Sequence, residues 1–214
     1  MRMEDLDTPR VVAGSAEGIL ETLLAYGLTW DGDVVYQSHR IALYERALEA
    51  LRAKGLVYDC ACSRAESDAV YPGTCRNGIK SGRAARAVRF RVPDEVIGFN
   101  DLLKGHYEEN VATATGDFVV KRADGIFAYQ LAVVVDDAEQ GITQIVRGED
   151  LLSSTPRQIA LQRALGLPTP IYAHLPLALN ADGTKISKRE GGVPIDPARV
   201  EETLEMAYQI LGFR

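Results

Sequence analysis

Apolar residues recur at helical spacing in four stretches of the chain. Between Ser15 and Tyr26, the side chains of Ile19, Leu20, Leu23 and Leu24 fall on one face, with Ser15 placed to cap the start and Gly27 to stop the run. After Ser38 the pattern returns at Ile41, Tyr44, Leu48 and Leu51 and ends at Gly55. Thr155-Pro156 sets a cap before a proline at the first helical position, where the missing N–H costs nothing, and opens a helix through Ile159, Leu161 and Leu165 to Gly166. Asp196-Pro197 repeats that start for a last helix with Val200, Leu204, Ala207 and Leu211 turned inward.

Shorter patterns predict strands. Leu56-Val57-Tyr58 reads as one, and Ser63 with Glu66 then forms an S-x-x-E capping box for a short helix. Val88, Phe90 and Val92 alternate with Arg89 and Arg91, the period of a half-exposed strand. Phe118-Val119-Val120 and the run from Ile126 to Val135 are too continuous for a surface strand; they read as buried, with strand and helix both open. Ile142 to Val146 and Leu175 to Leu179 are further strands, the second leading into an Asn180-Ala181-Asp182-Gly183 turn. Strands alternating with helices indicate an α/β architecture. No internal repeat or low-complexity segment interrupts it.

Composition narrows the class. A chain of 214 residues, 46% apolar and 25% charged, is one large domain or one domain with an appendage, and is neither disordered, collagen-like nor a disulfide scaffold. No apolar run approaches the roughly 18 residues of a membrane span, and Met1 to Asp7 contains no apolar signal core, so a cytoplasmic protein without a membrane partner is expected. The net charge of −6 argues against binding nucleic acid with the whole surface. One stretch differs: Arg76, Lys80, Arg83, Arg86, Arg89 and Arg91 follow one another with no acidic residue between, a pattern that attracts phosphates if the side chains are free and otherwise marks a solvated strand face.

Three groups of residues carry candidate chemistry. All three cysteines, Cys60, Cys62 and Cys75, lie within sixteen residues. Their number is odd, and clustered thiols in a reducing compartment point to a metal more than to disulfides. Zinc takes four ligands, so a fourth group is needed, and Tyr71, Asp59 and His106 are the nearby candidates. Glu4, Asp5 and Asp7 place several carboxylates at the start of the chain, where one of them can grip an ammonium group. Lys185-Ile186-Ser187-Lys188-Arg189, between Gly183 and Gly191-Gly192, is a strongly positive loop able to close over a triphosphate and stabilise charge on a leaving pyrophosphate.

In order along the chain, Glu-Asp-Leu-Asp-x-Pro-Arg (4 to 10), Cys-x-Cys with Tyr-x-x-x-Cys (60 to 75), Ala-Tyr-Gln-Leu-Ala (128 to 132), Val-Arg-Gly-Glu-Asp-Leu (146 to 151), His-Leu-Pro-Leu (174 to 177) and Lys-Ile-Ser-Lys-Arg (185 to 189) resemble the glutamyl-queuosine tRNA(Asp) synthetases. These are compact relatives of the class I glutamyl-tRNA synthetases that lack an anticodon-binding domain. The resemblance runs from residue 2 to about residue 195 and implies ATP-dependent activation of L-glutamate without tRNA, with ATP presented with Mg2+, and then transfer of the glutamyl group to queuosine in the anticodon of tRNA(Asp). It implies that Glu4, Tyr129 and Arg147 bind glutamate, that Lys185 and Lys188 belong to a KMSKS-like loop in which Lys188 contacts ATP, and that Cys60, Cys62, Tyr71 and Cys75 hold Zn2+.

The expected fold is therefore an α/β, Rossmann-like class I synthetase catalytic domain with a small zinc-binding insertion, in a chain expected to be monomeric. Its parts would be residues 1–55 and 116–195 for the catalytic domain, 56–115 for the insertion and 196–214 for a C-terminal helix. The family's opening strand, Pro-Ser-Pro-Thr-Gly-like turn and HIGH-type helix have no counterpart in the sequence, so the catalytic domain is expected to be incomplete at its N-terminus. A start placed too late explains this better than a remnant without catalysis, because the substrate and loop residues are intact. Two other readings remain: a fragment of a glutamyl-tRNA synthetase, against which Leu6 stands where threonine is more usual, and a non-catalytic zinc-stabilised module binding tRNA or glutamate through residues 76 to 91.

Overall fold

A computed structural model describes residues 1–67, 69–180, 183–186 and 195–212. The chain divides into two units, one of residues 1–39, 147–150 and 175–214, the other of residues 40–146 and 151–174.

In the first unit, β1 (Arg2–Met3) pairs in parallel with β2 (Val35–Tyr36), Arg2 opposite Val35 and Met3 opposite Tyr36. Asp5 fastens the two segments further, its carboxylate accepting from the Ser38 backbone N–H at 2.9 Å and from the Ser38 hydroxyl at 2.6 Å. Helix α1 (Ser15–Ala25) lies where the periodicity places it, but its cap is Gly14 at φ +79 and Ser15 is already inside the helix. No residue of α1 is buried; Ile19 is 45% and Leu24 54% exposed. The C-terminal helix, Val200–Leu211, begins as expected, with the Asp196 carboxylate accepting from the Ala198 N–H at 2.9 Å, yet it too buries no residue, so its inward face is only partly realised.

The second unit holds the core. Helix α2 (Ile41–Ala53) buries Tyr44, Leu48 and Leu51, while Ile41 at its first turn stays largely exposed. The strand after it, β3 (Val57–Cys60), pairs antiparallel with β4 (Ala87–Phe90), which pairs antiparallel with β7 (Phe118–Lys121) in a three-stranded sheet of order β3-β4-β7. A second sheet has the order β6-β5-β9-β8. Its hairpin of β5 (Val96–Asp101) and β6 (Gly105–Asn110) has no clear signature in the sequence. Strand β8 is Gln144–Gly148 and β9 is Ile171–Leu175, so β9 precedes the expected Leu175–Leu179 strand and shares only one residue with it.

The two apolar runs left open resolve differently: Phe118-Val119-Val120 lies in strand β7, and Ile126 to Val135 leads into helix α4 (Tyr129–Glu139), which buries Leu131 through Asp137. Between β6 and β7 a single turn, α3 (Val111–Ala114), is capped by Asn110. Helix α5 (Thr155–Leu165) ends at left-handed Gly166 as expected, although its N-cap is Ser154 and Thr155 is a fully buried first residue. Burial of Tyr44, Leu51, Leu131 and Leu161 supplies the main hydrophobic term, about 1.5–3 kcal/mol for each such side chain. Charge is admitted to this core only when paired: Asp136, fully buried, accepts from Arg40 Nε at 2.7 Å and from the Tyr44 hydroxyl at 2.8 Å. No helix among the described residues is long and apolar enough to cross a membrane.

Candidate functional site

Four donor atoms converge at the end of β3. The sulfurs of Cys60, Cys62 and Cys75 lie within 4.8 Å of one another, with Cys62 Sγ 3.7 Å from Cys75 Sγ. Tyr71 Oη is 3.3 Å from Cys60 Sγ and 3.5 Å from Cys62 Sγ. A tetrahedral ion bound by thiolates at about 2.3 Å has sulfur–sulfur edges of about 3.8 Å, and sulfur–oxygen edges of roughly 3.5 Å. The Cys62–Cys75 separation matches the first edge and the two Tyr71 separations match the second, while Cys60 Sγ lies within 4.8 Å of the other two sulfurs. All four residues are buried and the three cysteines are free thiols, so the set fits a metal ion. The other candidate ligands are excluded by position: Asp59 faces outward to Arg52 at 3.3 Å, and His106 sits exposed on β6 between Asn100 and Glu108.

Local backbone geometry seats the phenol. The Cys75 N–H donates to Tyr71 Oη at 3.1 Å, and the Tyr71 N–H donates to the Thr115 carbonyl at 3.0 Å. Tyr71 bridges to Gly116, which has φ +70 and lies so close that a Cβ there would be 2.3 Å from the Tyr71 carbonyl oxygen. Only glycine combines that dihedral with that approach.

Electrostatics around the cluster are set by Arg89 and Asp117. Arg89, 8% exposed, donates from Nε to Cys60 Sγ at 3.3 Å, from Nη1 to the Asp117 carbonyl at 2.6 Å and from Nη2 to Ser67 Oγ at 2.8 Å. Its guanidinium carbon stands 3.6 Å above the centre of the Tyr71 ring. Burial pushes the Cys60 thiol up, but hydrogen bonds from Tyr71, the Cys62 backbone and Arg89 outweigh it and hold the thiol below its ordinary value. Burial and the neighbouring thiols push the Tyr71 phenol up. Burial likewise disfavours charge on Asp117, but a bidentate Arg76, at 2.7 and 2.6 Å, with the Tyr58 hydroxyl and the Val92 N–H, keeps its carboxyl below the usual range.

The basic stretch is largely spent on these internal bonds, which corrects the alternation-based expectation for its strand. Arg76 is held by Asp117; Arg83 forks onto Glu66 and reaches the Ala61 carbonyl; Arg91 donates to the Arg76 carbonyl; Arg89 is buried instead of facing water. Lys80 and Arg86 stay exposed. Glu66 also accepts from the Ser63 N–H at 2.8 Å, the reaching-back half of the predicted capping box, though the helix it starts is a single 3-10 turn, Arg64–Glu66.

A second buried constellation had no local signature. His174 Nδ1 meets Asp101 Oδ2 at 2.6 Å, its Nε2 lies 3.3 Å from Thr155 Oγ1, and all three side chains are buried. The His174 backbone N–H also donates to Asp101. This joins β5, β9 and the start of α5.

The remaining expected site residues divide between the units. In the first, Glu4 is exposed and accepts from Arg2 at 3.1 Å, Arg147 is half-buried in β8, and Lys185 pairs with Asp150. Lys185 belongs to a hairpin in which Leu179 bridges to Lys185 and the Ile186 N–H donates to the Ala178 carbonyl. Gly148 lets Asp150 approach, since a Cβ there would stand 2.7 Å from Asp150 Oδ1. In the second unit, Tyr129 opens α4 and is 38% exposed. Lys188 lies outside the described residues.

Comparison with known proteins adds identity to this geometry. The family described as tRNA synthetases class I (E and Q), catalytic domain, matches residues 1–70 and 66–208. The chain is 52% identical over 221 residues to a glutamyl-Q tRNA(Asp) synthetase of Thiobacillus denitrificans, covering 99% of this chain and 73% of that protein. It is 53% identical over 224 residues to one of Neisseria meningitidis, covering 99% and 76%. Among solved structures, a glutamate tRNA ligase of Elizabethkingia meningosepticum superposes with a TM-score of 0.76 at 30% identity, over 90% of this chain and 46% of that one. A glutamate-tRNA synthetase of Elizabethkingia anophelis gives 0.77 at 30%, over 94% and 49%. The chain thus spans about half the length of those two structures, and the α/β fold is that of a class I synthetase catalytic domain.

Proposed function

We propose, for a chain that belongs to the glutamyl-Q tRNA(Asp) synthetases within the class I (E and Q) catalytic-domain family, that it activates L-glutamate with ATP and transfers the glutamyl group to queuosine in the anticodon of tRNA(Asp). In the first step a glutamate carboxylate oxygen attacks the α-phosphorus of ATP, supplied as its Mg2+ complex, forming glutamyl-adenylate and releasing pyrophosphate. In the second a hydroxyl of the queuosine cyclopentenediol attacks the glutamyl carbonyl carbon and AMP leaves.

The roles follow from residue chemistry. Arg147 is the cation for a substrate carboxylate, because a guanidinium can bind both oxygens at once. Glu4 counters the α-ammonium, and the Tyr129 hydroxyl orients the substrate by a hydrogen bond. Lys185 and Lys188 meet the triphosphate and stabilise the negative charge that grows on departing pyrophosphate. Zn2+ is the ion for Cys60, Cys62, Tyr71 and Cys75: four protein ligands leave no open position, so it would supply cross-linking of the loop to β3 and no Lewis-acid step. The internal pairing of Arg76, Arg83, Arg89 and Arg91 weighs against the alternative of a tRNA-binding module built on that stretch.

The reading is carried by identity at about half of all positions along 99% of the chain with a glutamyl-Q tRNA(Asp) synthetase. Glutamate-dependent ATP–pyrophosphate exchange tests it, measured on this chain and on a version extended by the family's strand, turn and HIGH-type helix. Exchange in either supports activation, and none in both overturns it. In the active form Arg147→Ala should raise the KM for glutamate roughly 10- to 100-fold, the loss of a charged hydrogen-bonded contact, and leave that for ATP within about twofold. The reverse pattern would contradict the assigned role.

A further inference from the structure

We propose that Arg89 is the positioning residue of the metal centre, balancing the charge of its thiolates and holding Tyr71 against them; the inference rests on the zinc reading above. Three thiolates around a divalent ion carry a net charge of −1, and the residues that supply them are nearly or fully removed from water. Leaving such a charge buried and unbalanced is strongly unfavourable. A cation in contact with the ligands is the remedy, and the nearby guanidinium groups differ in how far they are available for it.

Arg76 is matched by the Asp117 carboxylate at 2.6 Å and Arg83 by Glu66 at 2.8 Å, so neither adds positive charge to its surroundings. Arg91 stands 5.4 Å from the Tyr58 ring and donates to a carbonyl. Arg89 is different. Its partners among the described residues are a thiol, a carbonyl oxygen and a hydroxyl, so its full charge is delivered to the cluster, 3.3 Å from Cys60 Sγ. Two of the four ligands touch it: Cys60 through sulfur, and Tyr71 through the ring face at 3.6 Å, where a cation and an aromatic quadrupole attract. The bonds to Asp117 and Ser67 fix the fork, so the guanidinium can orient the phenol as well as neutralise the sulfurs. This is the outer partner that metal ligands commonly require, supplied here by a charge instead of a carboxylate.

The test uses the full chain, stripped of metal and titrated with Zn2+ against a chromophoric chelator, beside Arg89→Met, which removes charge at similar bulk, and Arg89→Lys, which keeps it. Arg89→Met is expected to bind Zn2+ about 10- to 100-fold more weakly, the usual effect of losing an outer partner, with Arg89→Lys recovering at least a third of that loss on a logarithmic scale. Substitution by Co2+ gives a second readout: the thiolate-to-cobalt absorption should shift in Arg89→Met and stay near the wild type in Arg89→Lys. If Arg89→Met does not fold, Arg89→Gln replaces it as the neutral arm. Wild-type affinity in the neutral variant overturns the inference and leaves the zinc reading standing, and so does an equal loss in the lysine and neutral variants. A wild-type chain that binds no zinc overturns both.

Discussion

Gly116→Ala probes the backbone approach that seats Tyr71. Alanine must adopt φ near +70, which costs an L-residue about 1–2 kcal/mol in the left-handed region. Its Cβ would also start 2.3 Å from the Tyr71 carbonyl oxygen and 2.9 Å from the Tyr71 nitrogen, so the two segments must part by about 1 Å to reach ordinary contact. Overpacking of that kind adds about 1–3 kcal/mol. The sum, about 3 kcal/mol, corresponds to a fall in Tm of about 6–12 °C for a chain of this size. The displaced backbone carries the phenol away from Cys60 and Cys62, so zinc affinity should fall in parallel. Circular dichroism melts of metal-free and zinc-loaded protein, with a chelator competition, measure both quantities. A variant melting within about 2 °C of the wild type and binding zinc equally well would refute the claim that this approach seats Tyr71.

Two further outcomes follow from the same geometry. Tyr71→Phe should keep the metal-free fold while weakening zinc binding at least about tenfold, because it removes one of the four proposed ligand atoms and little volume; chelator competition and Co2+ spectra check this. Asp101 is held at about 2, since its bonds to His174 and to the Leu103, Lys104 and His174 backbone N–H groups overcome the opposing effect of burial. A carboxyl lowered on folding stabilises the native state above its ordinary value of 3.8 and loses that contribution as pH falls towards 2. The advantage of wild type over Asp101→Asn in urea unfolding should therefore narrow by about 2 kcal/mol between pH 6 and pH 2, and a constant difference would contradict it.

Helix α2 was legible because it carries a one-sided apolar repeat with a glycine just beyond it, and α5 because a proline at its start and Gly166 at its end bracket it, although it buries Gln158 through Gln162 in succession and not a single apolar face. The same spacing in α1 and the C-terminal helix located the helices correctly but overstated their burial, since periodicity names a face without supplying what covers it. Phe118-Val119-Val120 and the run from Ile126 to Val135 were too continuously apolar to carry either period, and strand and helix were told apart only in the fold, on either side of the turn at Ala123 to Gly125. Arg89 was misplaced for a related reason: alternation assigns a charged position to the wet side of a strand unless distant partners can satisfy it.

What the sequence by itself determined is the family, through short motifs in a fixed order, and the four metal-ligand candidates, through cysteine spacing and that resemblance. Tertiary structure alone placed the Tyr71 hydroxyl beside the cysteine sulfurs and Asp59 and His106 away from them, turned Arg89 inward, and paired Asp101 with His174 across 73 positions. Local pattern reports which side chains share a face. The burial of a charge or a phenol depends on donors and acceptors that the folded chain brings from elsewhere, and without them the same residues would have remained in water.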